Sequence, residues 1–223
     1  MSTIKINTIV LIASLWAGAG SATPIIQPVI QPIIQEVFYD ALGPDRSSVF
    51  TELYGSPGTS LAGWSLVGVN GANGKPYRTL DLTGAVIPMD GLLVIATVST
   101  IGTLLAVRDF VANVDWQNGP DAVLLYDPFG GLADALQYGS AGTHNSGAGA
   151  PAPDPPAGLG LTRDALSTDT GDNARDFFAS PPTPGFRAAP VPVSEPNVFG
   201  LVLLAASALL RRPGRAERAA RSF

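Results

Sequence analysis

The chain has 223 residues, enough for one ordinary domain with extensions. It contains no cysteine and a single histidine, His144, which excludes disulfide frameworks, cysteine-ligated zinc, thiol nucleophiles and chemistry that needs two imidazoles. Its 25 glycines and 20 prolines favour turns and short strands over long helices. With 46% hydrophobic and 14% charged residues, the composition is typical of a folded core and not of a disordered chain.

Residues 1–22 have the layout of a secretory signal peptide. Lys5 precedes a short apolar run at 9–16, and small residues follow it. The run is too short to span a bilayer by itself. We therefore predict a short signal helix that is cleaved after Ala19 or Ala22. A buried N-terminal strand is the alternative, but the small residues give such a strand nothing to pack.

The C-terminal segment, 197–223, combines an apolar run with an arginine cluster. Residues 198–210 would form a helix roughly 20 Å long at about 1.5 Å per residue. Arg211 and Arg212 follow directly. A short apolar span followed by arginines predicts a helix in the inner membrane with its basic end in the cytoplasm. A basic tail also fits binding to nucleic acid or anionic lipid, but beside an apolar run membrane orientation is the more economical interpretation.

The residues flanking this run carry a resemblance. Ser194-Glu195-Pro196 stands before it, and Arg211 and Arg212 stand after it. In this order the segment resembles the PEP-CTERM sorting signal of Gram-negative bacteria. The resemblance implies cleavage by an exosortase near Glu195 and Pro196, followed by release or attachment to the cell surface. Without cleavage the tail is a membrane anchor. Both outcomes place the middle of the chain outside the inner membrane.

The exported part is strongly acidic. Residues 23–196 hold seven basic and 17 acidic residues, for a net charge of −10. Such a surface repels phosphate backbones, so we expect no nucleic-acid partner. It suits solubility and leaves divalent cations possible as ligands.

The exported part divides into a linker, a body and a stalk. Residues 23–32 repeat two β-branched residues, Gln and Pro, which predicts an extended linker. Residues 187–196 are a Pro-rich stalk.

In the body, 33–186, short apolar runs alternate with turn signals such as Asn-Gly and Asp-Gly, which predicts an antiparallel β-sandwich or barrel. The small-residue tract 139–158 predicts a surface loop that does not pack a core. The predicted elements are strands at Ile33–Tyr39, Val49–Tyr54, Trp64–Val69, Tyr77–Leu82, Leu92–Val98, Ala122–Tyr126 and Leu132–Tyr138, and one helix at Thr100–Val107.

Taken in order, these runs resemble a known family. The segments that carry the resemblance are Ile34–Asp40, Phe50–Tyr54, Leu61-Ala62-Gly63-Trp64-Ser65-Leu66, Asp121–Asp127, Ala133–Gly139, Asp169–Phe177 and Pro182-Thr183-Pro184-Gly185. They are similar to the lamin tail domain, and the match covers about 33–186. The resemblance implies an all-β, immunoglobulin-like antiparallel sandwich that serves interaction or matrix structure.

Three residues inside the predicted strands have structural explanations. Trp64 in an alternating strand is most simply a core aromatic, and a surface ring for ligand stacking is the alternative. Glu36 and Glu52 are charges inside strands, where burial is costly without partners. We expect them to cap loop amides or to pair with Arg46 or Arg78. As catalytic carboxylates they would need to face each other across a cleft, which nothing in the pattern indicates.

The best candidate for bound chemistry is calcium. Asp169, Asp172, Asn173 and Asp176 offer several hard oxygen ligands within eight residues. The spacing is not that of an EF-hand loop. The alternative, which we favour, is an Asx-turn segment whose side chains bind their own backbone. No other cofactor is expected.

The sequence also bears on catalysis and partners. A Ser-His-Asp triad would have to use His144, which lies in the small-residue tract, and no nucleophile elbow or phosphate loop is present. We therefore expect a non-enzymatic surface or extracellular-matrix module. It would interact with an unidentified protein or extracellular polymer, with the export machinery and with an exosortase. The alternatives are a calcium-dependent or carbohydrate-binding adhesion module and a secreted hydrolase.

Overall fold

The computed structural model describes residues 30–140 and 143–187. The predicted signal peptide, most of the linker, and the tail with Glu195, Pro196, Arg211 and Arg212 lie outside these residues. The described chain is an all-β sandwich of two sheets, which confirms that prediction. Its elements are β1 (Ile33–Phe38), a 3-10 turn (Asp45–Ser47), β2 (Phe50–Tyr54), β3 (Ser65–Asn70), β4 (Lys75–Asp81), β5 (Leu92–Ala96), α1 (Gly102–Val107), β6 (Phe110–Val111), β7 (Asp121–Tyr126), β8 (Leu132–Tyr138), β9 (Gly160–Thr162), α2 (Asn173–Asp176) and β10 (Phe178–Ser180).

The two sheets differ in size. The larger has the order β10-β9-β1-β2-β5-β6, and the smaller has the order β4-β3-β7-β8. All neighbours are antiparallel except β5 and β6, which run parallel. In β1 the register shifts between Ile34 and Glu36, and beyond this bulge Glu36 lies directly opposite Glu52 of β2. The bulge turns the intervening Gln35 out of the regular ladder.

One apolar core fills the space between the sheets. Trp116 is buried there, and its Nε1 donates a hydrogen bond of 2.8 Å to Thr51 Oγ1, which satisfies the one polar atom of the indole. Trp64 is also buried in this core, as predicted. Gly68 of β3 lies beneath the rings of Tyr77 and Trp116, and a Cβ there would fall 2.6 Å from one and 2.9 Å from the other.

A second, smaller core covers the outer face of the large sheet. Leu104 of α1 packs there on Phe38 and Phe50, together with small residues of β5. Every residue of β5 is buried, which confirms that this strand is apolar on both faces. The helix begins at Gly102, two residues later than predicted, because Ile101 is extended and Gly102 adopts a positive φ of 65°.

All seven predicted strands occur, with boundaries shifted by at most two residues. Three further strands, β6, β9 and β10, have only two or three residues each. Strands this short carry no readable alternation, and they exist because the large sheet provides an edge for each to pair with. Their existence is therefore set by tertiary structure.

The small-residue tract is irregular, but the expectation that it packs no core is wrong. Ala152 is buried in the main core and forms a parallel bridge with Tyr138, and its amide donates to Gln137 O at 2.8 Å. The tract thereby covers the free edge of β8.

Both ends of the described chain leave the sandwich at the same place. Ile30 exchanges hydrogen bonds with Ser56, directly after β2. At the other terminus, the Arg187 guanidinium lies over the ring of Tyr54, the last residue of β2, at 3.8 Å from its centroid. Any chain before Ile30 and after Arg187 therefore starts from one end of the body.

Candidate functional site

Arg163 is the centre of a buried polar cluster just after β9. Its side chain has no exposed surface, and Nη2 donates to both carboxylate oxygens of Asp134 at 3.0 and 3.2 Å. Nε donates to Ile34 O at 2.9 Å and Nη1 to Thr168 O at 2.7 Å. The guanidinium also stacks on the ring of Phe177 at 4.3 Å. Arg163 thus joins β1, β8 and the loop that follows β9.

Two of the four residues predicted to bind calcium face this same guanidinium. Asp176 lies 3.3 Å and Asp169 3.6 Å from Arg163 Nη1. Asp176 also accepts from Thr170 N at 2.9 Å and from Thr170 Oγ1 at 2.6 Å. Burial acts to raise the pKa of Asp176, but the Thr170 hydrogen bonds and the Arg163 charge outweigh it and hold that pKa below its usual value.

The other two predicted ligands point elsewhere. Asp172 caps α2, and its Oδ1 accepts from Ala174 N at 3.2 Å. Asn173 is buried, with Oδ1 accepting from Gln137 N at 2.9 Å and Nδ2 donating to Ala135 O at 2.7 Å. These contacts join the Asp-rich loop to the edge strand β8. The four side chains therefore serve two separate places in the fold.

Three carboxylates of this region face the same arginine. Among the described residues, no three acidic or histidine side chains converge to hold a metal ion. The positive charge that Asp134, Asp169 and Asp176 require is supplied by Arg163 from within the chain. Asp169 also accepts from Gly171 N at 3.1 Å, which is the local geometry of an Asx turn. The calcium site stays a prediction, and its best oxygens are already engaged.

A pair of glutamates forms the second polar site, on the outer face of the large sheet. Glu36 and Glu52 are 1% and 0% exposed, and they are direct neighbours across β1 and β2. They lie on the same face as Phe38 and Phe50, since side chains two residues apart along a strand share a face. Like charges directly opposite in a sheet destabilise it, so this pair needs compensation.

The compensation comes from residues 181–187, which we call the strap. Thr183 donates to Glu36 twice, from N to Oε1 at 3.0 Å and from Oγ1 to Oε2 at 2.7 Å. Gly185 N donates to Glu52 Oε2 at 2.6 Å. This confirms the expectation that both glutamates cap loop amides. Of the two arginines that were the expected alternative, Arg78 is engaged elsewhere and donates to Asn113 O at 3.3 Å.

Both glutamates are shifted towards the protonated form. Burial raises the pKa of Glu36 to about 7, against the lowering effect of its hydrogen bonds from Thr183. Burial, joined by the charges of Glu36 and Asp90, raises the pKa of Glu52 to about 8. Oε1 of Glu52 is buried without a hydrogen-bond partner. An ionised Glu52 therefore carries an oxygen whose desolvation nothing offsets.

Arg187 connects the strap with the Arg163 cluster. Besides covering Tyr54, its Nη1 donates to Ser167 Oγ at 3.0 Å. Ser167 in turn donates to Oε1 of Gln35, the bulge residue of β1, at 2.6 Å. The end of the strap, the bulge and the loop after β9 therefore form one hydrogen-bonded unit.

An apolar groove of about 330 Å³ runs beside the strap. Its floor is Phe38 and Phe50, and its walls are α1 and the two strap prolines, Pro182 and Pro184. A smaller cavity of about 240 Å³ adjoins β6 and includes Arg46. Neither is lined by Glu36 or Glu52, so the acid pair is closed off from both.

His144 lies far from these clusters, at the turn between β3 and β4. Its amide donates to Gly71 O at 3.3 Å, and its Nδ1 is 3.1 Å from Thr143 Oγ1. Its ring sits against Gly74. No described carboxylate forms an ion pair with it, and its contacts secure the turn.

The sequence pattern assigned no polar role to Arg163, Asp134 or the strap, although two of the segments that carry the family resemblance contain Asp134 and the strap residues 182–185. Asp134 did leave a signal, because it is a charge in the middle of an apolar strand, as are Glu36 and Glu52. Arg163 directly follows Gly160-Leu161-Thr162, a strand too short and too mixed in polarity to give such a signal. The donors in the strap left no such signal, because they are backbone amides and a threonine.

Comparisons with protein-family models, with curated proteins and with solved structures find no match to this chain. Within 30–140 and 143–187, the structure contains no helix with the length and apolar character needed to cross a bilayer. The predicted membrane segment at 198–210 lies outside these residues.

Proposed function

We propose that this protein is an exported, non-enzymatic interaction module, displayed or released at the bacterial cell surface. The observation that carries the proposal is that the two ends of the described chain lie together after β2, Ile30 at Ser56 and Arg187 at Tyr54. Among the described residues, the main core runs from Ile34 to Phe177, which lies between the two predicted apolar flanks in the sequence. A body tethered at one end presents the rest of its surface to partners.

The strand order supports an immunoglobulin-like and lamin tail-like assignment of the sandwich. One sheet contains β1-β2-β5 and the other β4-β3-β7-β8. In immunoglobulin labels these are the sets A-B-E and C′-C-F-G, which belong to opposite sheets of that fold. The segments that resemble the lamin tail domain supply β1, β2, β7 and β8, together with the Trp64 region that enters β3.

The state of the polar groups supports a role without catalysis. The one described carboxylate pair, Glu36 and Glu52, lies beneath the strap, and Arg163 is fully enclosed by its partners. General acid–base chemistry needs a group within reach of a substrate proton. These groups instead form hydrogen bonds and ion pairs that hold loops against the sandwich. The partner is then an unidentified protein or extracellular polymer that meets the surface.

The test is the location of the body in its native cells. Antibodies raised against the sandwich should label intact cells, or detect the body in the medium. They should not do so for a variant that lacks residues 2–22. Replacing Arg211 and Arg212 with alanine should change the division between cells and medium but not the export. Labelling of the wild type only after lysis would contradict the proposal.

A further inference from the structure

We propose that the strap is a pH-dependent latch, which Glu36 and Glu52 hold against the sheet in acid and release as the solution becomes alkaline. The strap is the last described segment before the C-terminal tail. The latch is independent of where the protein resides.

The geometry places a titratable pair at the polar anchors of Thr183 and Gly185. Among the described residues, the strap is also held at its end by Arg187, which donates to Ser167 Oγ. Three hydrogen bonds join the strap to the pair, two from Thr183 to Glu36 and one from Gly185 to Glu52. Prolines stand on both sides of Thr183 and have no amide proton to donate. Opening the strap therefore exchanges these contacts for water and exposes both carboxyl groups at once.

The charges that face the pair do not neutralise it. The two glutamates face each other, and Asp90 stands before β5 on the same side. Asp109 binds the amide of Val94, the residue opposite Glu52 on β5. Arg187 is the facing cation from the strap. Neither α1 nor β9 contributes a charged residue. With both glutamates ionised, the closed strap covers two negative charges with one arginine nearby.

The sign of the pH dependence of strap opening follows from comparing the pKa values of the glutamates in the closed and open states. In the closed state the pKa values are about 7 and about 8, whereas an exposed glutamate has its ordinary value of 4.5. Opening the strap in the interval between these values releases protons, so a rising pH favours opening. Each carboxyl raises the opening equilibrium by up to about tenfold per pH unit across its interval. Below the interval the strap stays closed.

If the tail is anchored in a membrane, release of the strap lengthens the tether between the body and its anchor. This effect on the tether rests on the proposed function. The strap has seven residues, 181–187. An extended chain spans at most about 3.3–3.6 Å per residue, so release lengthens the tether by up to roughly 25 Å. An alkaline shift would then let the body move farther from its attachment.

Hydrogen exchange of the full chain tests the latch directly. The amides of Thr183 and Gly185 donate to the two carboxylates, so they report its opening. After correction for intrinsic rates, we expect the peptide covering 181–187 to exchange at least about tenfold faster at pH 9 than at pH 6. The peptide covering β7 should show no such change, since it lies in the other sheet.

Two variants and one control complete the experiment. The double variant E36Q/E52Q keeps acceptor oxygens but cannot ionise, so its strap protection should be independent of pH. E52Q alone keeps both Glu36 contacts and should show a reduced dependence. D81N removes an exposed acid on β4 and should behave as the wild type. Constant strap protection in the wild type, or an unchanged pH dependence in E52Q, would overturn the proposal.

Discussion

Arg163 is a fully buried cation that joins β1, β8 and the loop after β9. Its guanidinium has no exposed surface and binds Asp134 through two hydrogen bonds. Burial raises the pKa of Asp134, and the Arg163 charge opposes that rise. A buried ion pair adds little net stability as a whole, because the cost of removing both charges from water offsets their attraction, but removing one partner leaves an uncompensated charge. The pair is therefore far more sensitive to single substitutions than to joint replacement.

The substitution R163M tests this sensitivity. It keeps a long side chain over Phe177 but leaves Asp134 buried without its cation, so we expect a loss of about 3–5 kcal/mol in the free energy of unfolding. Equilibrium urea unfolding measures the change. R175M is the matched control, because Arg175 is exposed and should stay within about 0.5 kcal/mol of the wild type. A cost for R163M as small as that of the control would refute the role assigned to Arg163.

Single residues could be interpreted from the sequence where a charged side chain stands in an otherwise apolar strand. Glu36 and Glu52 are acids in apolar strands, and that conflict correctly predicted loop amides as partners. It could not predict which loop, because Thr183 and Gly185 lie more than 130 residues further along the chain. These long-range hydrogen bonds depend on the topology of the fold, which the pattern of neighbouring residues in the sequence does not specify.

At the scale of elements, β3 shows how packing depends on the absence of a side chain. Gly68 makes room for the rings of Tyr77 and Trp116. The Trp116 segment has no regular period, so its sequence did not predict a core residue. The longer strands were predictable because alternation and turn residues agree along them, whereas β6, β9 and β10 depend on partners distant in sequence.

The substitution G68A therefore overpacks the core. The added methyl would meet ring atoms 2.6 and 2.9 Å away, closer than carbon atoms approach, so Tyr77 or Trp116 must move. We expect a destabilisation of about 1–3 kcal/mol, visible as a lower Tm in thermal unfolding. G43A is the control, since nothing lies within 4 Å of a Cβ there. An equal Tm for both variants would contradict this account of β3.

The Asp-rich loop before α2 gives a prediction about calcium. Asp169 and Asp176 already face Arg163, and Asp172 caps the helix. We therefore expect millimolar calcium to leave the Tm unchanged, because a ligand that does not bind the folded state does not shift unfolding. A rise in Tm that a chelator reverses, and that is lost in D169N and D172N, would instead support the predicted site at Asp169, Asp172, Asn173 and Asp176.

At the scale of the whole molecule, the account joins an acidic sandwich to two apolar flanks. The described residues supply a main core between Ile34 and Phe177, a buried ion pair and the strap. Sequence composition alone predicted the flanks, because charge and small residues around short apolar runs are local signals. That the two ends of the described chain lie together, Ile30 at Ser56 and Arg187 at Tyr54, could be seen only from the fold.

The mass of the protein isolated from its native cells tests export most directly. We predict a new N-terminus between residues 18 and 24, as signal-peptide removal requires. The same spectrum shows whether the chain ends near Glu195 or continues to Phe223, which separates sorting from anchoring. An intact Met1 on protein recovered from the soluble cytoplasm would contradict the account.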